Sequence, residues 1–229
     1  AGYNAQADSV VAIGYRAATN DQGQGSIAIG DSAGKTNQLN YCGAIGYAAG
    51  RNVQGADAVA VGKSAGENQQ GASAVAIGSL AGSADQAANA IAIGLESGKS
   101  GQIDNAVAIG RSAGYNAQGN NSVAIGYLAG SADQGASSVA VGVNAGLNAQ
   151  SDDSVAIGVA AGCVSQGASS VAVGNSAGLN QQGASAVAVG VNAGQASQSI
   201  HGVAVGNAAG SNAQGDSSVA VGRAAGQIS

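Results

Sequence analysis

A period of sixteen residues runs through this chain without an insertion or a deletion. The glycine that closes each SVAIG-like pentad recurs in register fourteen times, from Gly14 to Gly222. Helical-hairpin repeats need about 33 residues or more, whereas a sixteen-residue unit fits one turn of a β-solenoid. The sequence therefore predicts an all-β fold, in which residues 1–229 form a single parallel β-solenoid (β-roll) domain of about fourteen 16-residue coils.

The composition also favours a thin, repetitive structure over a compact globule. The 229 residues include 40 Gly and no Pro, Trp, Met or Phe, so the large side chains that interlock in a close-packed core are scarce. The net charge is −5 and charged residues make up 8%, which provides no basic surface for nucleic acid. No apolar run approaches the roughly 20 residues of a spanning helix. We therefore expect no direct membrane insertion by these residues, and any signal or anchor would lie outside them.

The pentad alternates as a β-strand does, which places its side chains on two opposite faces. Val123 and Ile125 share one face, and Ser122 and Ala124 share the other. Of the 28 positions equivalent to Val123 and Ile125, 27 are Val or Ile, and the exception is Gly43. Because β-branched residues pack well in strands, we predict that these columns form the interior stack of the coil.

The alanine in the middle of the pentad is invariant in every unit. On the assignment above it lies on the outer face, where a solvated residue would vary. Two interpretations follow: this face is an oligomer interface, or a sharply wound coil leaves room only for alanine. We favour the interface, because a thin alanine-rich coil gains much from association. The predicted oligomer face consists of Ala12, Ala28, Ala60, Ala76, Ala92, Ala108, Ala124, Ala140, Ala156, Ala172, Ala188, Ala204 and Ala220, with Ala44 in the same column.

A glutamine also recurs in every unit. Stacked coils place equivalent residues about 4.8 Å apart, so amide side chains can hydrogen-bond to the coils above and below. We predict an inward-facing structural ladder, since a solvated glutamine would have been replaced in some copies. Its members are Gln22, Gln38, Gln54, Gln70, Gln86, Gln102, Gln118, Gln134, Gln150, Gln166, Gln182, Gln198 and Gln214, preceded by Gln6.

The pentads resemble the YadA-like head repeats of trimeric autotransporter adhesins, which are bacterial surface proteins. Asn121, Ser122, Val123, Ala124, Ile125 and Gly126 spell the NSVAIG motif in full, and residues 154–158 repeat SVAIG. The resemblance extends over all fourteen pentads. It implies a left-handed β-roll and a homotrimer with the alanine column at its axis. It also implies NSVAIG as the adhesive motif and host matrix, such as collagen, as the partner.

These observations predict a non-enzymatic, rigid extracellular rod. We expect the head-like repeat region of a surface adhesin that attaches to a matrix protein, a glycan or other cells. Such a region would be anchored to the outer membrane through a segment outside this sequence. A self-assembling filament or a virion or phage fibre is the alternative. A less favoured one is an ice-binding solenoid that uses the Ser122-equivalent column beside the alanines.

Residues with catalytic or metal-binding chemistry are few. His201 is the sole histidine and falls in a variable turn, so we expect no catalytic, cofactor or metal site. Cys42 and Cys163 are too many coils apart to pair within one solenoid; Cys42 is either a packed thiol or a contact with its own symmetry mate. The turn aspartates are predicted to be solvated rather than to bind calcium; they are Asp8, Asp104, Asp152, Asp153 and Asp216. The turn tyrosines could contact a ligand or shield the coil edge.

Overall fold

The computed structural model describes residues 1–226 of the chain. Parallel strands stack as a β-solenoid of about fourteen turns, with sixteen residues per turn and no helix in the described part. This confirms the predicted fold class. The chain forms two compact units, residues 1–117 and 118–229.

Each turn contributes strands to two parallel sheets, which we name by their sequences. The VAI sheet contains the middle of each pentad, and the glutamine sheet contains the invariant glutamine. In residues 1–117 the VAI sheet consists of β2 (Val11–Ile13), β4 (Ile27–Ile29), β6 (Gly43–Ile45), β8 (Val59–Val61), β10 (Val75–Ile77), β12 (Ile91–Ile93) and β14 (Val107–Ile109). The glutamine sheet there consists of β1 (Asn4–Gln6), β3 (Asn20–Gln22), β5 (Thr36–Gln38), β7 (Asn52–Gln54), β9 (Asn68–Gln70), β11 (Ala84–Gln86) and β13 (Ser100–Gln102).

The second unit repeats this plan. Its VAI strands are β16 (Val123–Ile125), β18 (Val139–Val141), β20 (Val155–Ile157), β22 (Val171–Val173), β24 (Val187–Val189), β25 (Val203–Val205) and β26 (Val219–Val221). Its glutamine strands are β17 (Ala132–Gln134), β19 (Asn148–Gln150), β21 (Val164–Gln166) and β23 (Asn180–Gln182), and β15 (Asn116–Gln118) spans the division between the units. Strand residues that pair are sixteen positions apart, as Val139 pairs with Val155, so the sequence period sets the register.

The interior lies between the two sheets and is lined by alanine. Ala76, Ala92 and Ala124 are fully buried, as are their equivalents in the other turns from Ala28 to Ala204. The outward side chains of the same strands are the Val and Ile residues, none of which is buried within the described chain. The prediction of a Val/Ile interior was therefore wrong, and so was the assignment of the alanine column to an outer oligomer face.

The spacing of the sheets explains this inversion. A Cβ atom built on Gly98 would lie only 3.2 Å from the Cβ of Ala92 and 2.6 Å from Oε1 of Gln102. One glutamine spans the whole interior, because Nε2 of Gln86 donates to the carbonyl of Val75 in the opposite sheet at 3.0 Å. Two facing Val or Ile side chains do not fit in that space. The interpretation that tight winding leaves room only for alanine is confirmed, although the alanines lie inside the coil.

The predicted glutamine ladder faces inward, as expected, and its thirteen members from Gln22 to Gln214 are buried. Amide-to-amide bonds link consecutive members in short runs, such as Gln70 to Gln86 at 3.2 Å. The run is interrupted where the buried Oε1 of Gln70 has no partner among the described residues. A bond from Nε2 to the carbonyl eleven residues earlier is more regular, and it ties the two sheets together.

Replacing Gln70 by leucine is expected to cost about 1–3 kcal/mol of stability, because it leaves buried carbonyl oxygens without their donor. Nε2 of Gln70 bonds the carbonyls of Val59 and Ala74 at 2.9 and 3.2 Å. The neighbouring Gln69→Leu is a matched control, since Gln69 lies in the same strand and is exposed. Denaturant unfolding followed by circular dichroism measures both variants. Equal midpoints would contradict a structural role for the inward amide.

Candidate interaction face

The most distinctive surface of the molecule is formed by the outward Val and Ile side chains of the VAI sheet. We call it the valine–isoleucine face, and it consists of the first and third residues of every VAI strand. Ile77 is 39% exposed and Ile125 is 38% exposed in the middle of their stacks. These residues are the ones that the sequence analysis placed in the interior, so the candidate site is a surface that it missed.

The size of the valine–isoleucine face can be estimated from the spacing of the strands. In each unit seven VAI strands stack about 4.8 Å apart, which gives a length of about 34 Å, and a strand with its flanking residues is about 13 Å wide. The footprint is therefore on the order of 400 Å² per unit, made almost entirely of β-branched side chains. The largest apolar patch on a soluble monomer is commonly of this size and is often functional.

Two columns of residues border the face. One follows the glycine of each pentad and is often apolar and exposed; its exposed apolar members are Tyr15, Tyr47, Leu95, Tyr127, Val143, Val159 and Val191. Charged residues occupy other turns of the same column, with Asp31, Lys63 and Arg111 in the first unit. The other edge is formed by exposed turn residues two positions before each VAI strand, such as Asp57 and Asn121. The turn tyrosines Tyr15, Tyr47 and Tyr127 therefore extend the apolar surface at one edge.

The predicted adhesive motif is largely structural. Ser122 is fully buried and its hydroxyl donates to the carbonyl of Gly119 at 2.6 Å, which closes the turn. Ala124 is buried, and Gly126 has a φ of 132° at the end of the strand. The side chains of the motif that reach the surface are those of Asn121, Val123 and Ile125, and the last two belong to the valine–isoleucine face.

The surface suggested for ice binding does not exist as an outer face. Ser122, Ser138 and Ser154 are fully buried beside the alanine column. Their hydroxyls bond to backbone carbonyls three residues earlier, as Ser138 does to Gly135 at 2.7 Å. The Ser and Ala face that the less favoured ice-binding alternative placed toward solvent therefore lies inside the coil, as the alanine column does.

The isolated polar residues occupy turns. His201 is an exposed turn residue with a φ of 56°. A carboxylate oxygen of Asp152 accepts a hydrogen bond from the backbone N–H of Ala136 in the preceding turn at 2.8 Å, and Asp104 does the same for Ala88 at 3.0 Å. Within residues 1–226 there is no group of three or more His, Cys, Asp or Glu side chains that could hold a metal ion. That part of the chain also contains no helix long and apolar enough to cross a membrane.

Cys42 is a packed thiol inside its own coil, as one of the two interpretations predicted. It is 1% exposed, and its Sγ donates to the carbonyl of Gly55 at 2.8 Å. Burial raises the pKa of the Cys42 thiol above its ordinary value of 9.0. Burial also raises the pKa of Cys163, which is only partly buried.

In the native protein at neutral pH, a maleimide is expected to modify Cys163 and to leave Cys42 unmodified. Both thiols are mostly protonated at this pH, because their pKa values are raised, but only Cys163 can be reached by the reagent. Intact-mass measurement should show one added group before unfolding and two in denaturant. Addition of two groups to the native protein at equal rates would contradict the packing of Cys42.

A scan against protein-family models finds no matching family, and a search of curated proteins finds no matching sequence.

Proposed function

We propose that this chain is a non-enzymatic rod segment of an extracellular adhesin or fibre, and that copies of it associate through the valine–isoleucine face. The observation that carries the proposal is that face itself, with about 400 Å² of β-branched surface per unit. Covering this surface removes apolar area from water, which is the main favourable term in association. A homotrimer is the assembly that we favour.

Association through this face leaves the outward side of the glutamine sheet exposed. The outward residues of the glutamine sheet form a mixed polar column that includes Asp85, Asp133 and Gln181, all of them exposed. A repeated surface multiplies weak contacts when its ligand is also repetitive. This supports a matrix protein or a glycan on a cell surface as the partner of the rod.

Two lysines in the valine–isoleucine face are expected to convert the assembly to single chains without unfolding the coil. The variant is Val139→Lys/Val171→Lys, which brings charge into a surface that association would desolvate. The matched control is Ala149→Lys/Gln181→Lys, since both positions are exposed on the glutamine sheet of the same unit. Light scattering over a hundredfold dilution should give a discrete multichain mass for the wild type and the control, and a single-chain mass for the face variant.

Each outcome separates the alternatives. A wild-type chain that is monomeric at all concentrations would contradict association through this face, and so would a face variant that remains assembled. A mass that grows without limit as concentration rises would favour the filament alternative. For the adhesive part of the proposal, binding to immobilised collagen should exceed binding to immobilised albumin; equal binding to the two surfaces would contradict it.

A further inference from the structure

Gly43 makes a gap in the valine–isoleucine face that nothing within its own chain explains. It pairs with Ile27 on one side and Val59 on the other. A Cβ atom built on it would meet no atom within 4 Å, and its φ is not in the left-handed region. Neither the fold nor the backbone therefore requires glycine here. The gap is one side chain deep and opens to the surface.

The same turn carries a large side chain at the opposite edge of the face. Tyr47 lies four residues after Gly43 and is 57% exposed. Equivalent positions in other turns carry a tyrosine beside a complete Val/Ile pair, as in Val11, Ile13 and Tyr15. Only in this turn does a missing face residue occur together with exposed aromatic rings. Tyr41 at the near edge is also exposed, but its ring lies against Gly25 of the preceding turn and does not fill the gap over Gly43.

The next turn carries opposite charges at its two edges. Asp57 and Lys63 are both exposed, and they flank strand β8 on either side. Within residues 1–226 neither side chain forms an ion pair, in contrast to Arg51 with Glu67 and Lys99 with Glu96. No other turn of the sequence has opposite charges at these two positions. Ala58 and Gly62 are on the order of 13 Å apart across the strand, so the two edges are too far apart to meet in one chain.

In a closed ring of parallel copies with their faces inward, one edge of each copy lies beside the opposite edge of the next. If the copies are in register, Tyr47 of one copy lies beside Gly43 of the next copy, and Lys63 lies beside Asp57 of that copy. A slip of one turn brings Tyr47 to Val59 or Ile27 instead, and Lys63 to Ser73 or Tyr41. The shape match and the charge match are therefore both obtained at a single register.

We propose that these two turns fix the register between copies of this chain: Tyr47 fills the gap over Gly43 of its neighbour, and Lys63 pairs with Asp57 of that neighbour. This rests on the association proposed above and identifies its partner as a second, parallel copy. The two matches are independent, since one is steric and the other electrostatic. Together they act as a device for specificity within an otherwise uniform apolar surface.

The electrostatic match is tested by charge reversal in the full chain. Lys63→Glu should raise the dissociation constant of the assembly about fivefold, because it places two carboxylates side by side. Asp57→Lys/Lys63→Glu should restore the dissociation constant to the wild-type value. Lys35→Glu makes the same charge change away from the face and should have no effect. The effect of Lys63→Glu should shrink as salt is added.

The steric match is tested by closing the gap. Gly43→Val should raise the dissociation constant about tenfold, because the ring of Tyr47 then meets a filled surface. Gly43→Val/Tyr47→Val reproduces the pattern of Val155, Ile157 and Val159 and should restore association. Circular dichroism should show that all of these variants remain folded, since valine is the usual residue at this position.

The outcomes distinguish this inference from the one on which it rests. Wild-type assembly with no effect of Lys63→Glu or Gly43→Val would overturn the register proposal and leave association through the face intact. Loss of assembly without recovery in the two double variants would also overturn it. A wild-type chain that never assembles would overturn both proposals.

Discussion

Replacing Gly78 by alanine is expected to destabilise the first unit by about 3 kcal/mol or more. Gly78 ends strand β10 with a φ of 128°, a conformation that side-chain-bearing residues rarely adopt. A Cβ atom there would also lie 2.5 Å from the carbonyl oxygen of Gly94 in the next turn. The backbone of one turn fixes the position of the Cβ, and the oxygen belongs to the backbone of the next turn, so neither atom can move without disrupting the stacking of the turns.

The effect should be local, because turns of a solenoid interact chiefly with their neighbours. Amide hydrogen exchange near β10 and β12 is expected to accelerate about a hundredfold, and the denaturant midpoint should fall. Gly43→Ala is the matched control: it is also a glycine of the VAI sheet region, but it has no left-handed φ and open space around it. We expect it to change stability by less than about 0.5 kcal/mol. Similar losses for both variants would contradict the close stacking at Gly78.

The repeat predicted the architecture because a strict period leaves one simple register. Pairing at sixteen residues brings each glycine, alanine and glutamine beside its own equivalent, as in the pairing of Ala76 with Ala92. The turns were less predictable. Leu80 and Val53 adopt left-handed φ values of 59° and 52°, which their side chains disfavour. The stacking of turns imposes this conformation, and local preference at those residues gives no sign of it.

The orientation of the strands could not be decided from alternation alone. Alternation separates Val123 and Ile125 from Ala124, but it does not state which side is the interior. Assigning Val and Ile to the interior assumed that the interior is wide enough for these larger side chains. The better signal was variability: the alanine and glutamine columns never change, whereas Val and Ile exchange freely. A space that accepts only alanine is more confining than one that accepts both valine and isoleucine.

The candidate site was missed for the same reason. Once Val and Ile were assigned to the core, the candidate features of the outer surface were the alanine column, the Ser122-equivalent column and the NSVAIG motif. Ser122 and Ala124 of that motif hold the turn and the interior instead. The interpretation of Gly43 also depends on which strand face is the interior. If Val and Ile were inside, Gly43 would leave a cavity in the core; because they are outside, it leaves a gap in the surface. Only the structure shows that this gap faces outward.

The strongest test of the orientation compares two neighbouring residues of strand β12. Ala92→Leu is expected to destabilise the coil by about 3 kcal/mol, because Ala92 is fully buried where only a methyl group fits. Ile91→Ala should cost less than about 1 kcal/mol, since the Ile91 side chain lies on the outer face and leaves no enclosed cavity. Both are measured in the Val139→Lys/Val171→Lys background, so that association does not contribute.

The opposite ranking would identify isoleucine as the core residue, because truncation of a buried Ile typically costs about 2–5 kcal/mol. Hydrogen exchange supplies a second readout: Ala92→Leu should expose the backbone of β10, β12 and β14 together, since an enlarged interior residue forces the stacked turns apart. Ile91→Ala should leave the exchange of those strands nearly unchanged. In the assembled wild type, however, Ile91→Ala should weaken association, because the side chain that is dispensable to the coil belongs to the surface through which copies meet.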